Sequence, residues 1–234
     1  MILPELSAEI GGIFLGRIRE RWQGKSPSAI QKDAVSGQQV ISPAGFSEDA
    51  QADLTVHGGE EKAIHHYAQE HYVDWQSEGH MAAATAPAAF GENITTTGLT
   101  EENLCIGDIL RLGTATVQIS QGRQPCWKLG LHTGNEKMPY IFQKTGRTGW
   151  YYRMLETGVA EAGSRITLIE RRNPDWNVLR VTRARLTRRV SRERAEALAG
   201  LAELTSGWRL AFSRMAAGEI SEDTKARLVD QSGK

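Results

Sequence analysis

Short apolar runs broken by glycine, proline and charge fill the first part of the chain, a pattern of strands and turns. Gly12-Ile13-Phe14-Leu15-Gly16-Arg17-Ile18 is the first strand, closed by charged residues, and Gly24-Lys25-Ser26-Pro27-Ser28 follows as a loop. Val35 to Val40 reads as a turn between short strands. From Lys62 the period changes. Ile64, Tyr67, Ala68, His71, Tyr72 and Trp75 fall at i, i+3, i+4, i+7, i+8 and i+11, which predicts one helix stopped by Gly79. Asp108–Leu112 and Ala115–Ser120, joined through Gly113-Thr114, predict a hairpin. Pro139 opens a short helix to about Thr145, and Gly149–Met154 and Ser164–Ile169 read as strands, as does Val178–Leu186.

Helical character takes over at the end. Ser191, Ser206 and Ser221 each stand where they can cap a short helix, the first with Ala195, Leu198, Leu201 and Ala202 on its inner face. Helices this short need packing partners. Many short strands, inserted helices and a helical tail predict a mainly β (α+β) chain. Its parts are a barrel-like domain over 1–173 (core about 12–173) and a small all-α C-terminal subdomain over 174–234, divided near Asn173-Pro174.

Apolar residues make up 40% of the 234, which excludes wholesale disorder, and no run of about 18 apolar residues marks a membrane span. Met1-Ile2-Leu3-Pro4-Glu5-Leu6 does not read as a secretory signal, and two cysteines, Cys105 and Cys126, make no disulfide framework. A reducing, cytoplasmic setting is expected. The formal net charge of zero hides a sorting. Residues 42–110 carry twelve acids against one base, Lys62; residues 111–153 carry seven bases against one acid, Glu136; residues 165–194 carry ten arginines, no lysine and three acids. A neutral chain of this kind can still attract an anion locally.

Cys126 is the most informative residue. It follows a predicted strand in Gln121-Gly122-Arg123-Gln124-Pro125-Cys126-Trp127-Lys128, and its cationic neighbours favour a thiolate, the form that attacks or binds a metal. A small buried hydrophobe is the other reading. Cys105, between apolar neighbours, reads as core. His57-Gly58-Gly59, with Lys62, can bring backbone N–H groups to an anion, or simply turn the chain. His65 can reach a pocket edge; His71 reads as a core histidine. Glu92 and Asn93, after Phe90-Gly91, can position a polar ring or form an Asx turn. Arg147 and Arg153 flank a glycine-punctuated segment suited to phosphate. The arginine-rich stretch fits an acidic partner, RNA or a solvated face, with Arg183, Arg185, Arg188 and Arg189 its candidate contacts; without a DNA-binding motif, nucleic acid is not the expected partner.

In register, these segments resemble the MOSC superfamily, the domain that ends molybdenum-cofactor sulfurases, in its YiiM-type branch. The resemblance spans about residues 12–230. It rests on Gly24-Lys25 with Ser28-Ala29-Ile30; Val56-His57-Gly58-Gly59 with Lys62-Ala63 and His65; Tyr67 with His71-Tyr72; and Phe90-Gly91-Glu92-Asn93. It continues through Gly98-Leu99-Thr100, Ile106-Gly107-Asp108, Pro125-Cys126 with Lys128-Leu129, and Thr145-Gly146 with Gly149-Trp150. One departure is visible. Glu48-Asp49 stands where the family commonly has Gly-Asp, and Asp49 is therefore left out of the expected site.

The resemblance implies a MOSC β-barrel followed by a three-helix domain, and a bound molybdenum–pyranopterin with Cys126 as its metal-binding cysteine. Lys25, Ser28, Gly58, Gly59, Lys62, His65, Arg123, Lys128, Arg147 and Arg153 are then the candidate cofactor contacts, and His57, Glu92 and Asn93 join Cys126 as the catalytic set. The implied activity is reduction of N-hydroxylated compounds, such as hydroxylaminopurine-type base analogues, in detoxification. A separate electron-donor reductase is expected, because nothing here resembles a flavin or nicotinamide fingerprint and two cysteines cannot hold a four-cysteine cluster. A carrier or sulfur-transfer protein with a Cys126 persulfide is the alternative. The C-terminal helices would bind the donor, form a homodimer or cap the barrel. The acidic arm and the basic centre are expected to face each other across one pocket, with Cys126 within about 15 Å of His57 and Asn93.

Overall fold

Strand β1 (Ser7–Gly16) is the seam of the molecule, because it is paired along both edges. The computed structural model describes residues 5–52, 58–219 and 225–228. After β1 come β2 (Lys32–Val35), β3 (Gln39–Ser42), β4 (Gly45–Phe46), a 3₁₀ turn at Glu60–Lys62, β5 (Ile64–Ala68), helix α1 (Glu70–Ser77), β6 (Ile94–Thr96), β7 (Ile109–Leu112) and β8 (Ala115–Gly122). Helices α2 (Lys128–Thr133) and α3 (Met138–Thr145) precede β9 (Trp150–Glu156), β10 (Gly158–Ala160) and β11 (Arg165–Glu170). Helices α4 (Val178–Thr187), α5 (Arg192–Ala199), α6 (Ser206–Ala216) and α7 (Lys225–Leu228) follow.

Seven strands close in the order β1-β11-β7-β8-β9-β5-β6 and back to β1, with β2 added on the outside of β1. The β5–β6 pair is parallel and the other pairs of the barrel are antiparallel. A bulge at Gly11 shifts the β1–β6 register, the bend that lets one strand serve several partners. A smaller sheet, β10-β3-β4, lies beside the barrel. The architecture is the expected mainly β barrel with inserted helices and an all-α C-terminal part.

The predicted helix over Lys62–Trp75 is instead β5 followed by α1. All five residues of β5 are buried, so both faces are apolar or packed and the alternation of a strand is hidden. Ile64, His66 and Ala68 turn into the barrel, where His66 is hydrogen-bonded to Tyr152 Oη at 2.9 Å and Thr96 Oγ1 at 2.8 Å. Tyr67 turns the other way, onto an outer aromatic cluster with Tyr72, Trp75, Phe90 and Phe142. Val178–Leu186, expected as a strand, is helix α4. Its buried Val178, Val181, Thr182 and Arg185 follow a helical period, and the Asn177 side chain accepts from Arg180 N at 2.8 Å at its start. The caps of α5 and α6 are Ser191 and Thr205, one residue before the expected Ser206, while Ser221 lies outside the described residues.

Val178, Val181, Leu198, Trp208 and Phe212 belong to the same buried cluster as the barrel residues Leu110, Val117, Ile119 and Trp150, so the hydrophobic core runs through Asn173-Pro174 without a break. The tightest contact of this join is at Gly122, where a Cβ would lie 1.9 Å from Thr182 Oγ1 on α4. That hydroxyl is itself buried without a hydrogen-bond partner among the described residues. Gly122→Ala is therefore expected to destabilise the fold by ~1–3 kcal/mol through overpacking. Adding Thr182→Ala should recover most of the loss, read as the midpoint of urea unfolding; a Gly122→Ala protein as stable as the parent would contradict this packing.

Candidate active site

The chain leaves the barrel at Gly122 and reaches α2 through Arg123-Gln124-Pro125-Cys126-Trp127. This short link is held from the C-terminal side. Trp208 Nε1 of α6 donates to Gln124 Oε1 at 3.2 Å. From α7, Arg227 donates to Pro125 O at 2.6 Å, and Trp127 N donates to Arg227 O at 2.8 Å. Cys126 is thus presented, half-buried, in the wall of a cavity. Ser28, Lys32, Asp49, Gln51, Gly58, Lys62, His65, Gly91, Asn93, Arg123, Lys128 and Tyr151 share that lining.

The floor is a polar network. Asn93 is 4% exposed, and its amide oxygen accepts from His65 N at 3.0 Å. Its amide nitrogen donates to Phe14 O at 3.2 Å and to Asp49 Oδ2 at 2.8 Å. Asp49 also accepts from Gly16 N at 2.7 Å and from Lys32 Nζ at 2.5 and 2.6 Å. Burial pushes the Lys32 ammonium down from its ordinary value, and the Asp49 carboxylate beside it pulls the other way. His65 Nε2 lies 3.2 Å from the Thr148 carbonyl. A carbonyl only accepts, so Nε2 carries the proton. His65 Nδ1, buried, has no hydrogen-bond partner among the described residues. Desolvation first, then the Arg123 guanidinium, holds the ring far below an ordinary histidine and hence neutral. Arg123 is itself buried, donating to Phe90 O, and Lys128 Nζ donates to Pro27 O at 2.7 Å.

The MOSC domain family matches residues 53–167. Over 160 residues the chain is 40% identical to Protein YiiM of Escherichia coli (strain K12), covering 68% of this chain and 71% of that protein. The crystal structure of YiiM from Escherichia coli superposes with a TM-score of 0.77 at 30% identity, covering 95% of this chain and 98% of the other. The chain belongs to the MOSC domain family, in its YiiM-type branch. A protein of Gibberella moniliformis (strain M3125 / FGSC 7600) named "Reductase" is 39% identical over 182 residues, 75% of this chain and 32% of that protein.

In this MOSC chain the cavity brings together Cys126, Asn93, Ser28, Gly58, Lys62, His65, Arg123 and Lys128 of the expected set. Gly59 begins the 3₁₀ turn beside it, Lys25 stands on the loop before Ser28 outside the lining, and His57 lies outside the described residues. Three more of the expected residues stand outside the cavity lining. Glu92 does not line the cavity: it is fully buried, and its carboxylate accepts from Ala88 N at 2.7 Å, Phe90 N at 3.1 Å and Tyr72 Oη. Arg147 is on another face, 3.6 Å from the Trp75 ring and paired with Asp74 and Glu78. Arg153 is paired with Glu61 at 3.3 Å. Sequence reading missed Lys32 and Tyr151, and it set aside Asp49, whose carboxylate needs no glycine before it to reach the floor. Lys32 opens β2, where Asp33 and Ala34 are exposed, and nothing in that short run marks it as a site residue. Cys105 is buried, as expected, and burial raises its thiol to about 11.

Two outcomes follow. Removing the α7 brace with Arg227→Ala should speed alkylation of Cys126 several-fold and leave that of Cys105 unchanged; equal Cys126 rates would show that the brace does not hold the loop. His66 is lowered to about 3 by burial. A depressed histidine contributes stability above its unfolded value, near 6.5, and loses it as the pH falls below, by up to about 1.4 kcal/mol per pH unit. Unfolding free energy is expected to drop between pH 6.5 and 5, and His66→Gln to flatten that dependence, measured by urea unfolding across the range.

Proposed function

We propose that this chain is a molybdenum-cofactor-dependent reductase of N-hydroxylated compounds. The observation that carries the reading is the half-buried Cys126 thiol in one cavity with Arg123, Lys128 and Lys62 and with the polar wall of Asn93 and His65. Its family, and the relative named "Reductase", support the same reading.

The residues present fit such a group. A thiolate is a soft ligand suited to molybdenum, and clustered cations suit a phosphate. Among the described residues no three of His, Cys, Asp and Glu form a metal cage, and the Cys126 thiol is a single ligand suited to a metal that arrives with others, as in a dithiolene-bearing pterin. The cavity measures about 90 Å³ and carries Cys126 in its wall. When bound, the group supplies two-electron, oxygen-accepting chemistry; the net conversion is R–NH–OH plus two electrons and two protons to R–NH₂ and water. The protein binds and orients. Cys126 fixes the metal end, while Arg123 and Lys128 attract the phosphate. The neutral His65 ring stands in the polar wall, held on the Thr148 carbonyl. Asp49 and Lys32 neutralise each other beneath. The electrons come from a separate donor protein, for the chain carries no nucleotide-binding fingerprint of its own.

Protein made in a cofactor-competent host should contain molybdenum and release a pterin on denaturation. Cys126→Ser should lose most of the metal and about 100-fold or more of the reductase rate with an artificial donor. Wild-type protein without molybdenum, or with a persulfide on Cys126 in its place, would overturn the reading.

A further inference from the structure

Away from the cavity, α4, the end of α3 and the start of α5 enclose a second concavity of about 560 Å³. Lys144, Arg180, Arg183, Arg189 and Arg194 line it, and no carboxylate does. All five are exposed. Arg180 and Arg183 are steadied by backbone carbonyls, those of Asp175 at 2.8 Å and Thr145 at 2.9 Å, which hold a guanidinium without cancelling its charge. None of the five is ion-paired to a carboxylate among the described residues. Elsewhere on this surface arginines are paired: Arg111 with Glu156, Arg147 with Glu78, Arg172 with Glu170 and Arg192 with Glu196. The chain also bends to make the cluster. Arg188 ends α4 in the left-handed region, with φ of 59°, a conformation that residues with a side chain rarely adopt. That turn brings Arg189 and Val190 back over α4. Half-buried Trp176, Leu179 and Val190 supply an apolar floor.

Unpaired, same-sign charge around an apolar floor is the complement of an acidic protein surface. Location narrows the partner. The inner face of α4 packs on β8 and touches Gly122, four residues before Cys126, so the outer face stands about one helix diameter, ~10 Å, from the strand that delivers the thiol. We infer that the concavity lined by Arg180, Arg183, Arg189 and Arg194 is the docking face for an acidic electron-carrier protein. The inference rests on the reductase reading for the role of the partner. Two one-electron deliveries from the carrier, each oxidising one carrier molecule, supply the two electrons of the N–O cleavage, and two solvent protons complete water and amine. Of the four arginines singled out in the sequence, Arg183 and Arg189 belong to this face, whereas Arg185 is buried.

The test measures binding apart from turnover. Two small acidic carriers, flavodoxin and plant-type ferredoxin, are titrated by calorimetry into the full-length protein at about 50 mM and about 300 mM salt. At least one should bind, weaken about tenfold at the higher salt, and weaken about tenfold again with Arg180→Ser/Arg189→Ser/Arg194→Ser. Lysine at the same three positions should keep most of the affinity, and unchanged melting would show the fold intact. Binding of neither carrier, or equal binding by parent and serine variant, would overturn the inference. So would tighter, serine-sensitive binding of a short single-stranded RNA, which would make this a nucleic-acid face. Turnover separates the two readings. If the molybdenum-loaded protein fails with reduced methyl viologen, the reductase reading fails while the binding result stands. If viologen turnover is unchanged in the serine variant and carrier-driven turnover falls through KM, both are supported.

Discussion

One buried amide holds the cavity together. The Asn93 side chain is bonded at once to β1 through Phe14, to β5 through His65 and to the loop carrying Asp49. A buried amide of this kind is worth far more satisfied than broken, because each lost partner leaves a desolvated polar atom. Its three bonds fix where His65 and Asp49 stand, and Asp49 in turn fixes the Lys32 ammonium. The barrel supplies the frame: β5 pairs β6 and β9, β1 pairs β6, and the amide ties their ends where the sheet opens.

The sorting of charge along the chain resolves into two different uses. The acidic arm and the basic centre meet in the cavity, where Asp49, His65 and Asn93 face Arg123, Cys126 and Lys128, and again outside it as ion pairs: Glu61 with Arg153, and Asp74 and Glu78 with Arg147. Those pairs explain why two arginines well placed in sequence are absent from the site. What remains for the cavity are Arg123 and Lys128, whose partners are backbone carbonyls and therefore leave their charge in place. The arginine-rich stretch splits likewise, with Arg185 turned inward and its neighbours left on the surface.

The β7–β8 hairpin was legible from its Gly113-Thr114 turn, although all eight residues of β8 are buried. Strand β5 and helix α4, which no such turn marks, were not. In β5 the apolar spacing satisfied a helix and a strand equally, and only pairing with β6 and β9 decides between them. In α4 the β-branched Val178, Val181 and Thr182 suggested a strand, while their spacing of three and four obeyed the helix. For the site, Cys126 and Asn93 stood out by chemistry and by motif. Glu92 stood out equally, and its carboxylate secures the local turn, the other use that its segment offered. Lys32 and Asp49 form a site only as a pair, seventeen positions apart.

The brace on the Cys126 loop has a consequence in time. The ribosome delivers a chain from its N-terminus, and the barrel strands up to β11 are complete before α6 and α7 exist. The hydrogen bonds from Trp208 and Arg227 that settle Gln124, Pro125 and Trp127 are therefore the last to form. The loop can take its final shape only after synthesis has passed residue 227. Until residue 227 has been made, the loop that carries the thiol lacks the full set of bonds that hold it from the C-terminal side.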